Sequence, residues 1–128
     1  MRVRPPPGTP FLVMIMSEPI RMSFADPFFQ PGIQSTIRVG TKWFESIAIG
    51  DHFKAHEPDS EKDIAVFEVV GLMKCLIEEI PNEILELNHD GRCNRLPGLL
   101  KILNECYTNV NLKTEVTVVL FLYVENCA

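Results

Sequence analysis

The sequence predicts one mixed α+β domain whose strands curl into a compact barrel. The chain has 128 residues, of which 46% are hydrophobic and 23% charged, and this composition suits one packed domain. Alternating strand patterns fill the first half and give way to helical patterns after residue 80. The last predicted strand, residues 115–125, is apolar on both faces, which is typical of a strand at the centre of a fold.

The hydrophobic periodicity predicts strands at residues 20–24, 35–39, 52–56, 63–73 and 115–125. Gly71 interrupts the fourth of these strands and predicts a bend or bulge that helps the sheet to curl. Helices are predicted at residues 81–87 and 97–107, because each range opens with a proline before an apolar stripe. Asp26 before Pro27 predicts a further short helical turn between the first two strands.

The net charge of −5 argues against a protein that coats nucleic acid non-specifically, since such proteins rely on many Lys and Arg contacts to phosphates. The four cysteines show no CxxC spacing, which favours free thiols in a reducing compartment and the cytoplasm as location. The apolar run Phe11–Met16 is too short for a signal peptide or a membrane span. We therefore expect residues 1–15 to be a flexible or non-native extension and residues 16–128 to form the single domain.

A conspicuous motif lies in residues 32–51, which read Gly-Ile-Gln-Ser-Thr-Ile-Arg-Val-Gly-Thr-Lys-Trp-Phe-Glu-Ser-Ile-Ala-Ile-Gly-Asp. It resembles the signature of ASCH domains, in which a glycine turn leads into a Lys-Thr-x-Thr-x-Arg-like strand and a Gly-Asp turn follows. The long strand, the helix that ends in a tyrosine and the closing strand come in the family's order, so the resemblance covers about residues 16–125. It implies a PUA-like β-barrel of five to six strands with two or three flanking helices. It also implies an association with RNA.

The strongest candidate ligand-binding residues are Thr36 and Arg38, whose side chains share one face of a strand because they are two residues apart. A hydroxyl beside a guanidinium can hold a phosphate or a base edge. Lys42 and Trp43 follow in a predicted loop that would border the same cleft, where a cation beside an aromatic ring suits a stacked base. The structural alternatives are an Arg38 paired with a carboxylate and a Trp43 anchored in the core.

Some small bacterial members of the family hydrolyse N4-acetylcytidine with a lysine, a threonine and a glutamate. Thr36 falls on the threonine, whereas Ile33 occupies the lysine position and has no ionisable group. The glutamate maps near residues 90–92, where Asp90 offers a shorter carboxylate, and Lys42 could replace the lost ammonium. The catalytic candidates are therefore Thr36, Lys42 and Asp90, and whether the chain is an enzyme stays open.

We expect the chain to bind RNA or a nucleotide-like ligand in a polar cleft next to the strand that carries Thr36 and Arg38. One alternative is an amidohydrolase that acts on N4-acetylcytidine or a related modified nucleoside. Another is a non-catalytic protein-interaction domain, which the negative charge and the run Phe11–Met16 also fit. No cofactor and no membrane partner is expected. No metal is expected either, because His52 and His56 would lie about 13 Å apart along a strand, too far for one ion.

Overall fold

A computed structural model describes residues 20–127 of the chain. The strands are β1 (Arg21–Ser23), β2 (Ile33–Val39), β3 (His52–His56), β4 (Asp63–Leu76) and β5 (Glu115–Asn126). The helices are α1 (Lys42–Ser46), α2 (Asn82–Glu86) and α3 (Leu96–Cys106), with single 3₁₀ turns at Ile77–Glu79 and Gly91–Cys93. All five predicted strands and both predicted helices are present. The predictions for residues 1–15 lie outside the described residues.

The five strands form one sheet in the order β1-β3-β4-β5-β2, and the α+β class is confirmed. β1 pairs with β3 in parallel, while the other three pairings are antiparallel. The prediction of a closed barrel is wrong, because β1 and β2 are the two edges of the sheet and do not pair with each other. β1 has only three residues, and the prolines in the connection to β2 cannot donate ladder hydrogen bonds. The helical turn predicted at Asp26 is also absent from this connection.

The sheet has two faces, and each buries its own hydrophobic cluster. The inner face, which we define by the buried side chains of Phe24, Phe53, Phe67 and Phe121, packs ring against ring. The rings of Phe67 and Phe121 meet edge to face, with centroids 4.9 Å apart. The outer face packs against α2 and α3 through residues that include Val116 and Val118 of β5.

β5 shows why its sequence is apolar at nearly every position. Val116 and Val118 face the helices, whereas Val119 and Phe121 belong to the inner cluster. β5 also lies between β4 and β2, so both its faces and both its edges are covered over these residues. The predicted bulge at Gly71 is confirmed, because the register shifts there and a Cβ atom on Gly71 would lie 2.7 Å from Leu120 Cδ1.

Ser35 of β2 ties the edge strand to the segment that follows α2. Its hydroxyl donates to the backbone oxygen of Ile84 at 2.9 Å, and its N–H donates to that of Leu87 at 2.9 Å. The N–H of His89 in turn donates to the Ser35 carbonyl at 3.1 Å. These bonds hold residues 88–90 against β2, which places the side chains of His89 and Asp90 beside Thr36 and Arg38.

The cysteines Cys75, Cys93, Cys106 and Cys127 are free thiols, as the absence of CxxC spacing predicts. Among residues 20–127, no helix combines the length and apolar character that crossing a bilayer requires.

Candidate functional site at the open edge of the sheet

A cavity of about 550 Å³ occupies the gap between the two edge strands, where a closed barrel would have its seam. Its volume falls within the range of ordinary ligand pockets. Five parts of the chain line it: the end of β1 with the residues after it, β2, the loop between β3 and β4 at Pro58, the segment after α2, and α3 with the residue that follows it. The polar and aromatic lining residues are Ser23, Phe24, Asp26, Thr36, Arg38, Asn88, His89, Asp90, Arg92, Glu105 and Tyr107.

Arg38 is one of the two arginines in this lining. Its Nε donates to Thr36 Oγ1 at 3.2 Å, and its guanidinium carbon lies 4.6 Å from the centroid of the Phe24 ring. Burial lowers the pKa of Arg38, although Tyr107 and Cys106 oppose that shift. The guanidinium nevertheless keeps its charge, because the ordinary pKa of arginine is so high.

No carboxylate within residues 20–127 forms an ion pair with Arg38. Its two Nη atoms also have no hydrogen-bond partner in this part of the chain. Neither atom is sealed from solvent, since every fully buried side-chain nitrogen or oxygen described has a partner. The Nη donors are therefore available to a molecule in the cavity.

His89 supplies an acceptor beside these donors. Its Nδ1 lies 3.2 Å from the backbone oxygen of Phe28, and since a carbonyl can only accept, Nδ1 carries the proton. Burial lowers the pKa of His89, so the ring is neutral at neutral pH. Nε2 is then an unprotonated acceptor with no protein donor among the described residues. The ring is fixed by an edge-to-face contact with Phe24, with centroids 5.1 Å apart.

Asp90 also lines the cavity, but its carboxylate is already occupied. Its Oδ1 accepts from the backbone N–H and from Nε of Arg92, each at 3.0 Å, and its Oδ2 accepts from Nη2 at 2.7 Å. The hydrogen bonds from Arg92 lower the pKa of Asp90. A carboxylate held in this way is a weak proton acceptor, and its charge is balanced by Arg92.

Part of the cavity lining is apolar. Ile37, Leu99 and Leu103 are buried there, and Cys93 lies next to them at 5% exposure. Burial, with a smaller contribution from Asp90, raises the pKa of the Cys93 thiol to about 12, so it stays protonated and is a poor nucleophile at neutral pH. The lining thus combines polar side chains with buried apolar ones.

The structure brings Thr36, Arg38 and Asp90 together around this cavity, and it places Lys42 and Trp43 outside the lining. The prediction of a loop at these two residues is wrong, because they begin the short helix α1. The chain turns away from β2 at Gly40, whose φ of 87° favours glycine, and α1 then packs Trp43 against the inner cluster. Lys42 is exposed, with Nζ 5.9 Å from the centroid of the Trp43 ring.

Phe24 and His89 are among the lining residues that the sequence does not single out as ligand contacts. Phe24 read only as the end of a strand, although its ring supports both Arg38 and His89. His89 showed no motif, because its bond to the Phe28 carbonyl links residues 61 positions apart. The only sequence signal was its position beside Asp90 in a polar segment between two helices.

No group of three or more His, Cys, Asp or Glu side chains able to hold a metal ion occurs within residues 20–127.

Comparisons with known proteins bear on the fold. No family model and no curated protein matches the sequence. The crystal structure of an ASCH domain from Lactobacillus crispatus JV V101 is similar with a TM-score of 0.58 and 11% identity, over 72% of this chain and 64% of that one. A protein of Enterococcus faecalis V583 assigned to family model DUF984 is similar with a TM-score of 0.52 and 9% identity, over 73% of this chain and 61% of that one.

The chain therefore spans less than two thirds of the length of either structure. Identities this low establish a shared fold and nothing about activity. The order of strands and helices that suggested the resemblance in the sequence agrees with this result. The chain has an ASCH-like fold.

Proposed function

We propose that the cavity at the open edge of the sheet binds the base of a nucleotide-like ligand, either a free nucleoside or nucleotide or a single unpaired nucleotide of RNA. The observation that carries this proposal is Arg38. It is a charged side chain held in a cavity by Phe24 and Thr36, without an ionic partner among the described residues. Keeping an unpaired cation away from bulk water is costly, and a ligand that pairs with it would offset that cost.

The donors and acceptors around Arg38 suit the edge of a base. The Nη atoms offer donors, His89 Nε2 offers an acceptor, and the Thr36 hydroxyl can do either. Unpaired bases present adjacent donors and acceptors on their edges, and they stack on aromatic rings and on guanidinium planes. Phe24 and Tyr107 are the aromatic residues of the lining.

The charges of the lining indicate that the base, and not the phosphates, supplies the affinity. Arg38 and Arg92 are its cations, while Asp26, Asp90 and Glu105 are its anions. Arg92 is already paired with Asp90, so the lining offers no basic surface to a phosphate backbone. Binding should therefore depend only weakly on salt, unlike that of a protein that neutralises many phosphates.

The amidohydrolase alternative lacks comparable support. Of its three candidate residues, Lys42 lies outside the cavity lining, Asp90 is saturated by Arg92, and Thr36 accepts a bond from Arg38. Ile33, at the family's lysine position, is half exposed. Incubating the protein at high concentration with N4-acetylcytidine tests this alternative directly, and we expect no cytidine to form.

Isothermal titration calorimetry with pyrimidine and purine nucleosides, their monophosphates and short unpaired RNAs tests the proposal. The wild type should bind at least one of these ligands, and Arg38→Met should weaken that binding by about tenfold to a hundredfold, because charge-assisted hydrogen bonds contribute about 1.5–3 kcal/mol. Arg95→Met is the matched control, since Arg95 is exposed and does not line the cavity. The Arg95→Met variant should bind the same ligand with the affinity of the wild type.

Two results would count against the proposal. Equal weakening by both substitutions would indicate a general charge effect and not a site at Arg38. If no ligand gives a measurable heat of binding at millimolar concentration, the cavity does not bind these bases. Trp43 fluorescence is a poor substitute for calorimetry here, because its indole packs against the inner cluster and does not line the cavity.

A further inference from the structure

Arg38 offers the cavity a pair of parallel hydrogen-bond donors. A guanidinium carries its five N–H donors in one plane. The Nε donor of Arg38 is used by Thr36 Oγ1 at 3.2 Å, and the two Nη atoms have no partner among residues 20–127. The Phe24 ring, whose centroid lies 4.6 Å from the guanidinium carbon, supports this arrangement. The Nη atoms can therefore donate side by side to two adjacent acceptors on one ligand.

His89 lies against the same aromatic ring and offers a single acceptor. Its ring centroid is 5.1 Å from that of Phe24. Burial is the main cause of its lowered pKa, and the charge of Arg38 lowers that pKa further, so the two side chains are neighbours. Because Nδ1 donates to the Phe28 carbonyl at 3.2 Å, Nε2 of the neutral ring can only accept. Nε2 is not sealed from solvent, since every fully buried side-chain nitrogen or oxygen described has a partner.

Only some bases complement two parallel donors beside an acceptor. The edge of the base must carry two adjacent acceptors followed by a donor. Cytosine has this order in O2, N3 and the N4 amino group, and guanine has it in N7, O6 and N1–H. Uracil places its N3–H donor between two acceptors, and adenine places its N6 amino group between N7 and N1. Neither of these two bases offers adjacent acceptors to the Nη pair of Arg38.

We propose that the cavity binds cytosine or guanine in preference to uracil and adenine, and that His89 determines this specificity together with Arg38. The inference rests on the proposed function, because it specifies which bases the same site accepts. Arg38 alone could hold any two adjacent acceptors, including those of a carboxylate or a phosphate. The acceptor at His89 requires a donor next to them, and a ligand without that donor leaves Nε2 unpaired.

Isothermal titration calorimetry of the wild-type protein with the four common ribonucleosides tests the preference among bases. Cytidine, guanosine or both should bind about tenfold to a hundredfold more tightly than uridine and adenosine, the range expected for one bidentate arginine contact. The tighter of the two ligands identifies which base supplies the edge. This comparison needs no substitution, so it does not depend on whether a variant folds.

Ligands that lack only the donor test the role of His89. Pyrimidin-2-one riboside is cytidine without the N4 amino group, and 1-methylguanosine is guanosine without N1–H. The wild type should bind the matching analogue about tenfold more weakly than the parent nucleoside. His89→Phe keeps an aromatic ring against Phe24 but has no acceptor, so this difference should disappear. His52→Phe is the matched control and should keep the difference, because His52 is exposed on β3 and does not line the cavity.

The possible failures are distinguishable. Uridine or adenosine bound as tightly as cytidine and guanosine would overturn this inference and leave the proposed function standing. The same ratio of parent to analogue affinity in the wild type and in His89→Phe would overturn the role of His89. Absence of binding by every nucleoside would overturn the inference together with the proposed function.

Discussion

Replacing Arg38 with methionine should make the protein more stable while it weakens ligand binding. Methionine preserves most of the length of the side chain and its packing, but it carries no charge to desolvate. The change in stability shows whether Arg38 serves ligand recognition or the fold. Only a residue that serves recognition is expected to lower the free energy of unfolding of the ligand-free protein.

The magnitude follows from the contacts of Arg38. Arg38 is half-buried and its two Nη atoms stay open to solvent, so withdrawing this cation from water costs at most several kcal/mol. The contact with the Phe24 ring, with the guanidinium carbon 4.6 Å from the centroid, returns about 1–2 kcal/mol. The hydrogen bond to Thr36 at 3.2 Å returns about 1 kcal/mol. The remaining deficit is about 1–2 kcal/mol, which corresponds to a rise in Tm of about 3–8 °C for a domain of this size.

Differential scanning calorimetry of the wild type, Arg38→Met and the control Arg95→Met measures this difference. The control should stay within about 0.5 kcal/mol of the wild type, because Arg95 is exposed. A Tm for Arg38→Met several degrees below that of the wild type would refute the reasoning. It would mean that Arg38 has an ionic partner in the free protein and serves to hold the fold together.

Three further predictions concern residues around the cavity. Burial lowers the pKa of His89 in the folded state, so the unfolded state takes up a proton first on acidification. The free energy of unfolding should therefore fall as the pH drops below about 6.5. Urea titrations at several pH values should show a smaller pH dependence for His89→Gln than for the wild type. Gly98→Ala should lower the free energy of unfolding in urea titrations by about 1–3 kcal/mol, because its Cβ atom would lie 2.0 Å from the backbone oxygen of Arg92. Gly91→Ala, whose Cβ atom would come no closer than 3.8 Å to a neighbour, should change it by less than about 0.5 kcal/mol. Iodoacetamide at pH 7.5 should alkylate the exposed Cys106 and spare Cys93, because the thiol of Cys93 is buried and has a pKa of about 12. Peptide mass spectrometry that finds Cys93 modified before Cys106 would contradict this prediction.

The strands and helices were predictable because their signals are local. The alternation in β4 and β5 and the prolines before α2 and α3 lie within short stretches of sequence, and the two-sided apolar pattern of β5 already indicates a central strand. Closure of the barrel was not predictable in this way. It depends on whether β1 reaches β2, and three residues in β1 followed by a proline-containing connection leave that edge open.

The candidate site was predictable only in part. The spacing of Thr36 and Arg38 places both side chains on one face of β2, and the structure brings both to the cavity. The position of Trp43 depended on a helix of five residues, which is too short to show a helical period. The tautomer of His89 depends on its contact with the Phe28 carbonyl, 61 positions away in the sequence. The free Nη donors of Arg38 likewise depend on which distant side chains lie near them. No local sequence pattern predicts either property.

The central claim is that the guanidinium of Arg38 contacts the ligand, and side-chain NMR tests this most directly. The Nε–Hε resonance of Arg38, assigned by its loss in Arg38→Met, should be followed while the nucleoside or nucleotide found by calorimetry is titrated in. We predict that this resonance shifts in step with binding while that of Arg95 stays in place. Saturation of the protein with ligand and an unmoved Arg38 resonance would contradict the account, because binding would then occur elsewhere on the molecule.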